Sequence, residues 1–168
     1  MIRIGILGDI GSGKSYVAKN FGYPVFNADQ EVTELYKRDK EIFYKLKKIL
    51  PKHISKFPID KREILNAILA QKYNLSRIVK IVHLEVRKKM HFFLKKNKNA
   101  RIVILDIPLM LENKINKKDD ILIFVQSKKK DILKRLKKRK NFNQILFNRF
   151  KKIQLPLDYK KKKISICH

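Results

Sequence analysis

Acidic residues are scarce in this chain: 15 Asp and Glu stand against 42 Lys and Arg in 168 residues, a formal net charge of +27. Cysteine is scarcer still. The single Cys167 cannot form an intrachain disulfide, which excludes a disulfide-stapled scaffold and fits a reducing compartment. Glycine and proline number five each, so collagen-like and mucin-like chains are excluded. No apolar run approaches the roughly 20 residues of a membrane helix. The apolar part of Met1–Leu7 is too short for a secretory leader and is followed by no small-residue cleavage site. The expectation is a soluble, cytoplasmic protein with no membrane partner; nothing in the sequence indicates its oligomeric state.

Hydrophobic residues make up 44% and charged residues 34%, enough for one compact domain with a real core and a small inserted subdomain. The excess of base has two readings. A polyanionic partner such as nucleic acid is one. Compositional drift is the other: 33 of the 42 basic residues are Lys, and Lys, Ile and Asn, all abundant here, share A/T-rich codons. The second is preferred, so nucleic acid is not expected as a partner, although the basic field attracts any anionic substrate.

Apolar strands alternate with helical patterns. Residues 2–7 read as a buried strand ending at Gly8, Lys14 to Phe21 as a helix closed by Gly22, and Pro24-Val25-Phe26 as a second strand. Helical spacing then runs to about Leu50. Asp60 is a plausible N-cap for a helix carrying Ile64, Leu65, Ile68 and Leu69, and a longer helix spans about 75–96. Strands follow at 102–107 and 121–125. Ser127 is expected to cap a very basic helix from Lys128 to about Lys140, and another helix runs from about Asn143 to Ile153. This order predicts an α/β fold: a P-loop NTPase-type parallel sheet (core about 1–29 and 99–127) with flanking helices. An inserted helical substrate subdomain spans about 30–98, and a basic helical lid with C-terminal helices about 128–160.

Gly8 to Ser15 fit the pattern G-x-x-x-x-G-K-[ST] after a strand and at the start of a helix. Such a loop turns backbone N–H groups toward phosphate oxygens, and the helix N-terminus adds positive potential. Gly11, Ser12, Gly13, Lys14, Ser15 and Tyr16 are the candidate ATP-binding residues. Lys14 is expected to reach the β- and γ-phosphates, and the Ser15 hydroxyl to hold Mg²⁺. The Asp9 side chain has two options: toward solvent, or inward, where it would repel phosphate. Asn116-Lys117-Lys118-Asp119 matches the bare N-K-x-D pattern of a guanine-reading GTPase, but it precedes a strand instead of following one. A small kinase fits the length best.

Asp29 stands past the carboxyl end of the second strand, where ligands bind in open parallel sheets. It reads as a catalytic base for an alcohol acceptor or as a helix N-cap, and the two roles are compatible. His83 and Arg87 lie four apart on one helix and His91 continues the row, either as a solvated edge or as a cationic strip for an anionic acceptor. Arg135 and Arg139 are also four apart, with Arg149 further on; these are the candidate lid arginines that neutralise phosphoryl charge. Asp106 ends the third strand and reads either as a ligand-edge carboxylate holding Mg²⁺ through water or as a turn residue before Pro108.

Together these segments resemble the dephospho-CoA kinase family over almost the whole chain. Gly8 to Ser15 resembles its G-G-I-G-S-G-K-S loop, with Asp9 in place of a Gly. Val25-Phe26-Asn27-Ala28-Asp29 resembles V-I-D-A-D, with Asn27 replacing the first acid. His83-Leu84-Glu85-Val86-Arg87 resembles H-P-x-V-R, and Leu105 to Glu112 resembles L-D-V-P-L-L-F-E. Arg135-Leu136-Lys137-Lys138-Arg139 resembles the lid's R-L-x-x-R, and Arg149, Gln154 and Lys160 resemble the R-x-x-x-Q and P-L-x-x-K stretch after it. The resemblance implies ATP- and Mg²⁺-dependent phosphorylation of the ribose 3′-hydroxyl of dephospho-CoA. It implies Lys14, Asp29 and Arg139 as the catalytic residues, and His83, Arg87 and Asp106 as acceptor-binding ones. The alternatives are a nucleoside or nucleotide kinase of the same fold, or an inactive homologue truncated at its C-terminus. The family continues with a last strand, an adenine-contacting loop and a helix. Ser165 stands here at the position of an Asp of that region and the chain closes at His168, so an edge strand and part of the base pocket are expected to be absent.

Overall fold

The computed structural model describes residues 1–138 and 142–164, which divide into two compact units. The first holds residues 1–28 and 93–168, with a four-stranded sheet at its centre. The strands are β1 (Ile2–Gly8), β2 (Val25–Asn27), β3 (Ile102–Asp106) and β4 (Ile121–Val125), in the order β2-β3-β1-β4 and all parallel. The helices of this unit are α1 (Lys14–Asn20), α6 (Lys129–Lys137), α7 (Gln144–Lys152) and α8 (Leu157–Lys162).

β1 reads as a continuous apolar run because it is paired on both edges, Ile2 to Gly5 against Ile102 to Leu105 and Ile4 to Gly8 against Ile121 to Val125. Ile4, Ile6, Ile104 and Ala18 form a buried cluster, with Phe21, Val25, Ile102, Ile121, Ile123 and Val125 packed against it. Ala18 thus carries the buried face of α1. A Cβ at Gly5 would come within 2.6 Å of the Met110 sulfur, so a larger residue there would push the buried Met110 side chain aside.

At the amino ends of the strands, Arg3 and Asp120 form a two-pronged ion pair. Nε lies 3.0 Å from Oδ1, and Nη2 donates to Oδ2 at 3.0 Å. Asp120 also accepts the Lys117 N–H at 2.9 Å. The two side chains are only 9% and 2% exposed, so neither charge has water as an alternative partner.

The second unit, residues 29–92, is helical: α2 (Ala28–Arg38), α3 (Lys40–Ile49), α4 (Lys61–Ala70) and most of α5 (Asn74–Lys96). The single helical stretch expected to Leu50 is broken at Asp39, whose side chain caps α3 by accepting the Ile42 N–H at 3.0 Å. Asp60 caps α4 as expected, accepting from Arg62 N–H. Apolar residues at helical spacing build this core: Leu35, Ile42, Leu46, Ile64, Ile68, Ile78, Val82 and Val86 are all buried. Tyr36 is buried with them, and burial pushes its phenol well above the usual range.

Two outcomes follow. Asp120→Ala leaves the Arg3 charge buried and unpaired, and should cost about 3 kcal/mol or more in urea unfolding, whereas Arg3→Met with Asp120→Leu should recover most of that loss. Tyr36 is neutral in the folded state, so its contribution is complete below the ordinary phenol range near pH 10 and is lost as pH rises through it. Tyr36→Phe should therefore flatten the alkaline decline of stability, read as melting temperature against pH.

Candidate active site

Because all four strands run the same way, their carboxyl ends form one edge, and the loop 8–13 leaves β1 at the middle of it. Gly8 holds φ 146°, and a Cβ there would lie 2.7 Å from both Ser12 Oγ and the Val125 carbonyl. Gly11 holds φ 82°, with Leu136 and Ile132 of α6 3.1–3.3 Å from where its Cβ would be. Both positions need glycine, the first for close approach and the second for the left-handed backbone as well. The Gly13 carbonyl accepts from the Tyr16 and Val17 N–H groups and starts α1.

The Lys14 ammonium lies over the loop, donating to the Asp9 carbonyl at 2.7 Å and the Gly8 carbonyl at 3.3 Å. Asp9 is half-buried and bonds within its own loop. Its Oδ1 accepts the Ile10 N–H at 2.7 Å and its carbonyl accepts the Ser12 N–H at 3.2 Å, so its carboxylate serves the loop's own turn. Ser12 Oγ is buried with no hydrogen-bond partner among the described residues. Ser15 and Tyr16 are exposed on the first turn of α1.

Ser127 corrects an expectation. It does not cap the basic helix: α6 begins at Lys129, Lys128 is its N-cap, and no side chain caps it. The Ser127 hydroxyl instead donates to the Ser12 carbonyl at 2.8 Å. Ser127 follows β4, the neighbour of β1, and proximity to the loop wins over the local cap. Arg135 joins it, with Nη1 donating to Ser12 O at 3.1 Å, Ser127 Oγ at 3.3 Å and Gly11 O at 3.5 Å.

Asp106, 3% exposed at the end of β3, is paired in register with Asn27 at the end of β2. Asn27 Nδ2 donates to Asp106 Oδ2 at 2.6 Å. An acid at position 27 would set two carboxylates face to face; the amide replaces that repulsion with a hydrogen bond. Asp29 lies two residues beyond β2, exposed in the first turn of α2, and its carbonyl accepts the Thr33 hydroxyl. His83 and Arg87 lie on α5 in the helical unit, the first half-buried and the second exposed, with the Arg87 carbonyl 2.8 Å from His91 Nδ1. Arg149 is half-buried on α7. Arg139 lies outside the described residues, as do 165–168. Residues 116–119 precede β4, at the sheet edge opposite the loop, so they are not placed to read a base held beside it. Among the described residues no helix is long and apolar enough to cross a membrane.

The dephospho-CoA kinase family profile matches residues 2–166. The chain belongs to the dephospho-CoA kinase family. A dephospho-CoA kinase of Wolbachia pipientis wMel is 34% identical over 164 residues, covering 95% of this chain and 84% of that protein. A dephospho-CoA kinase of Wolbachia sp. subsp. Brugia malayi (strain TRS) is 33% identical over 163 residues, covering 94% of this chain and 83% of that protein. The solved structure of TT1252 from Thermus thermophilus is 28% identical and superposes with a TM-score of 0.77, covering 98% of this chain and 85% of that one. The P-loop kinase sheet expected from the sequence is thus the observed fold, and the family is one of ATP-using kinases.

Within this dephospho-CoA kinase family member, two family segments quoted for resemblance turn out to touch. Lys160 of α8 is 1% exposed and its ammonium lies 2.6 Å from Glu112 Oε1, which also accepts the Leu155 N–H at 2.9 Å. Glu112 and Lys160 enter the sequence reading only through the family resemblance, and a separate helix α8 after Leu155-Pro156 is not among its expectations. The available signal was a Lys three residues past Leu157 in an otherwise apolar Leu-Pro-Leu setting. From the sequence Ser127 reads as a helix cap after a strand, and which strand lies beside β1 is a tertiary fact.

Gly11→Ala should lower stability by about 1–2 kcal/mol through its left-handed backbone alone, and should weaken ATP binding because Ile132 and Leu136 must shift. Urea unfolding with an ATP titration checks this, and unchanged midpoints in both would refute it.

Proposed function

We propose that this chain transfers the γ-phosphoryl group of ATP to the ribose 3′-hydroxyl of dephospho-CoA, giving coenzyme A and ADP. The observation that carries the reading is a phosphate loop at the carboxyl end of the central strand in a chain that matches the kinase family from residue 2 to 166. The buried, unpartnered Ser12 hydroxyl and the Lys14 ammonium over the loop are a donor set suited to phosphate oxygens. Ser15 offers a hydroxyl and Asp106 a carboxylate, the hard oxygen donors that Mg²⁺ prefers. Ser15 would hold the ion directly and Asp106 through water; when bound, it neutralises charge on the phosphates.

In the proposed reaction, Lys14, the Ser12 hydroxyl and the N–H groups of Gly11, Gly13, Lys14 and Ser15 bind the triphosphate, with Tyr16 beside them. His83, Arg87 and Asp106 bind the acceptor. Asp29 accepts the proton of the 3′-hydroxyl as its oxygen bonds to the γ-phosphorus and the bond to the β–γ bridging oxygen breaks. Arg139 and Arg149 supply positive charge to the transferring group. The strongly basic chain draws in both anionic substrates.

The test is ADP release by the purified chain with ATP, Mg²⁺ and dephospho-CoA, with adenosine and an acceptor-free mixture as controls. Turnover is expected only with dephospho-CoA; equal turnover with adenosine would overturn the acceptor assignment. Asp29→Asn should cut kcat by about 100-fold or more with ATP affinity nearly unchanged, and near-normal turnover by that folded variant would remove Asp29 as the base.

A further inference from the structure

We propose that Arg135 and Ser127 together are positioning residues for the phosphate loop, acting through the Ser12 carbonyl, and that Arg135 is not a contact of the transferring phosphoryl group. The proposal rests on the reading that loop 8–13 binds the ATP phosphates.

The Ser12–Gly13 peptide carries both the anchored carbonyl and the first N–H at the start of α1. In a trans peptide these two groups point in opposite directions. Ser127 Oγ at 2.8 Å and Arg135 Nη1 at 3.1 Å hold the carbonyl on the α6 side, so the Gly13 N–H is turned away from α6. The same Nη1 reaches the preceding carbonyl, Gly11 O, at 3.5 Å, and binds Ser127 Oγ at 3.3 Å. Arg135 therefore bridges two loop carbonyls and the residue that shares one of them.

Apolar contact reinforces this anchor. Ile132 and Leu136, one turn apart on α6 and both buried, close over Gly11, and the absent Cβ of Gly11 is what lets them come so near. The Arg135 guanidinium also lies 3.6 Å from the Cβ position of Gly13. Four residues of one segment, 127 to 136, thus dock on three consecutive loop residues. Such a docked helix holds the loop in shape before any nucleotide arrives, which lowers the ordering cost of binding. None of these contacts requires a γ-phosphate, so the effect should be felt by ADP and ATP alike.

The experiment measures Kd for ADP and for ATP–Mg²⁺, and kcat with dephospho-CoA, in Arg135→Met, Arg135→Lys, Ser127→Ala, Ser127→Thr and the Met/Ala double variant of the full chain. Arg135→Met keeps the apolar stem and removes the donor. It should weaken both nucleotides by about tenfold, and Ser127→Ala by about threefold. Lys at 135 and Thr at 127 should restore much of the loss. The double variant should lose less than the product of the single losses, because both donors serve one carbonyl. If Arg135→Met lowers kcat while both Kd values stay within about twofold of the parent, Arg135 contacts the transferring group and the proposal falls. It falls too if Ser127→Ala binds both nucleotides like the parent protein. Ser127→Ala is the decisive variant should Arg135→Met fail to fold, as shown by melting without nucleotide. A parent chain that binds nucleotide but does not turn over dephospho-CoA would overturn the acceptor reading and leave this inference to the Kd values.

Discussion

The double pairing of β1 is the constraint on which the nucleotide end of the molecule depends. A strand hydrogen-bonded on both edges and packed on both faces cannot shift, so the loop that leaves it starts from a fixed point. The parallel sense of its neighbours then delivers Asn27, Asp106 and Ser127 to the same edge as Gly8. Each does something there that its local sequence would not demand: Asn27 and Asp106 bond to one another, and Ser127 reaches the loop. The site is a consequence of strand order more than of any single segment.

Scarce acid is spent on few tasks inside the sheet-bearing unit. Asp120 neutralises Arg3 at one end of the sheet, Glu112 neutralises Lys160 of α8, and the Asp9 carboxylate accepts the Ile10 N–H within the phosphate loop. Asp106 is bonded to the Asn27 amide at the carboxyl edge of the sheet and makes no salt bridge among the described residues. Against a net +27 this distribution makes sense. Among the described residues the two buried cations, Arg3 and Lys160, each have a carboxylate, because an unpaired buried charge is costly, while exposed Lys residues need none. What remains is a broadly positive surface suited to two polyanionic substrates.

The helical unit follows a simpler rule. Its helices carry apolar residues at intervals of three and four, Asp39 and Asp60 cap α3 and α4 where the chain restarts, and its core closes on those stripes. The Asp39 break shows how a short-range hydrogen bond decides a boundary that periodicity alone runs straight through. Val32 to Tyr36 and Ile42 to Leu50 keep the same helical spacing on either side, so the pattern carried no sign of the interruption.

By itself the sequence determined the four strands, the phosphate loop, most helices and the kinase family, because these are local: an apolar run, a glycine-rich turn, a helical period and contiguous motifs can be read without knowing what lies opposite. Order along the chain also counted against a guanine-reading role for 116–119, and the strand direction agrees. Tertiary structure alone decided which side chains meet across tens of residues. Asn27 with Asp106, Lys160 with Glu112, and Ser127 and Arg135 with Ser12 are all pairings between segments far apart in sequence. A hydroxyl after a strand and an arginine on a basic helix have several possible partners of similar strength. The packing of α6 over Gly11 chose among them, and no residue's own chemistry could have done so.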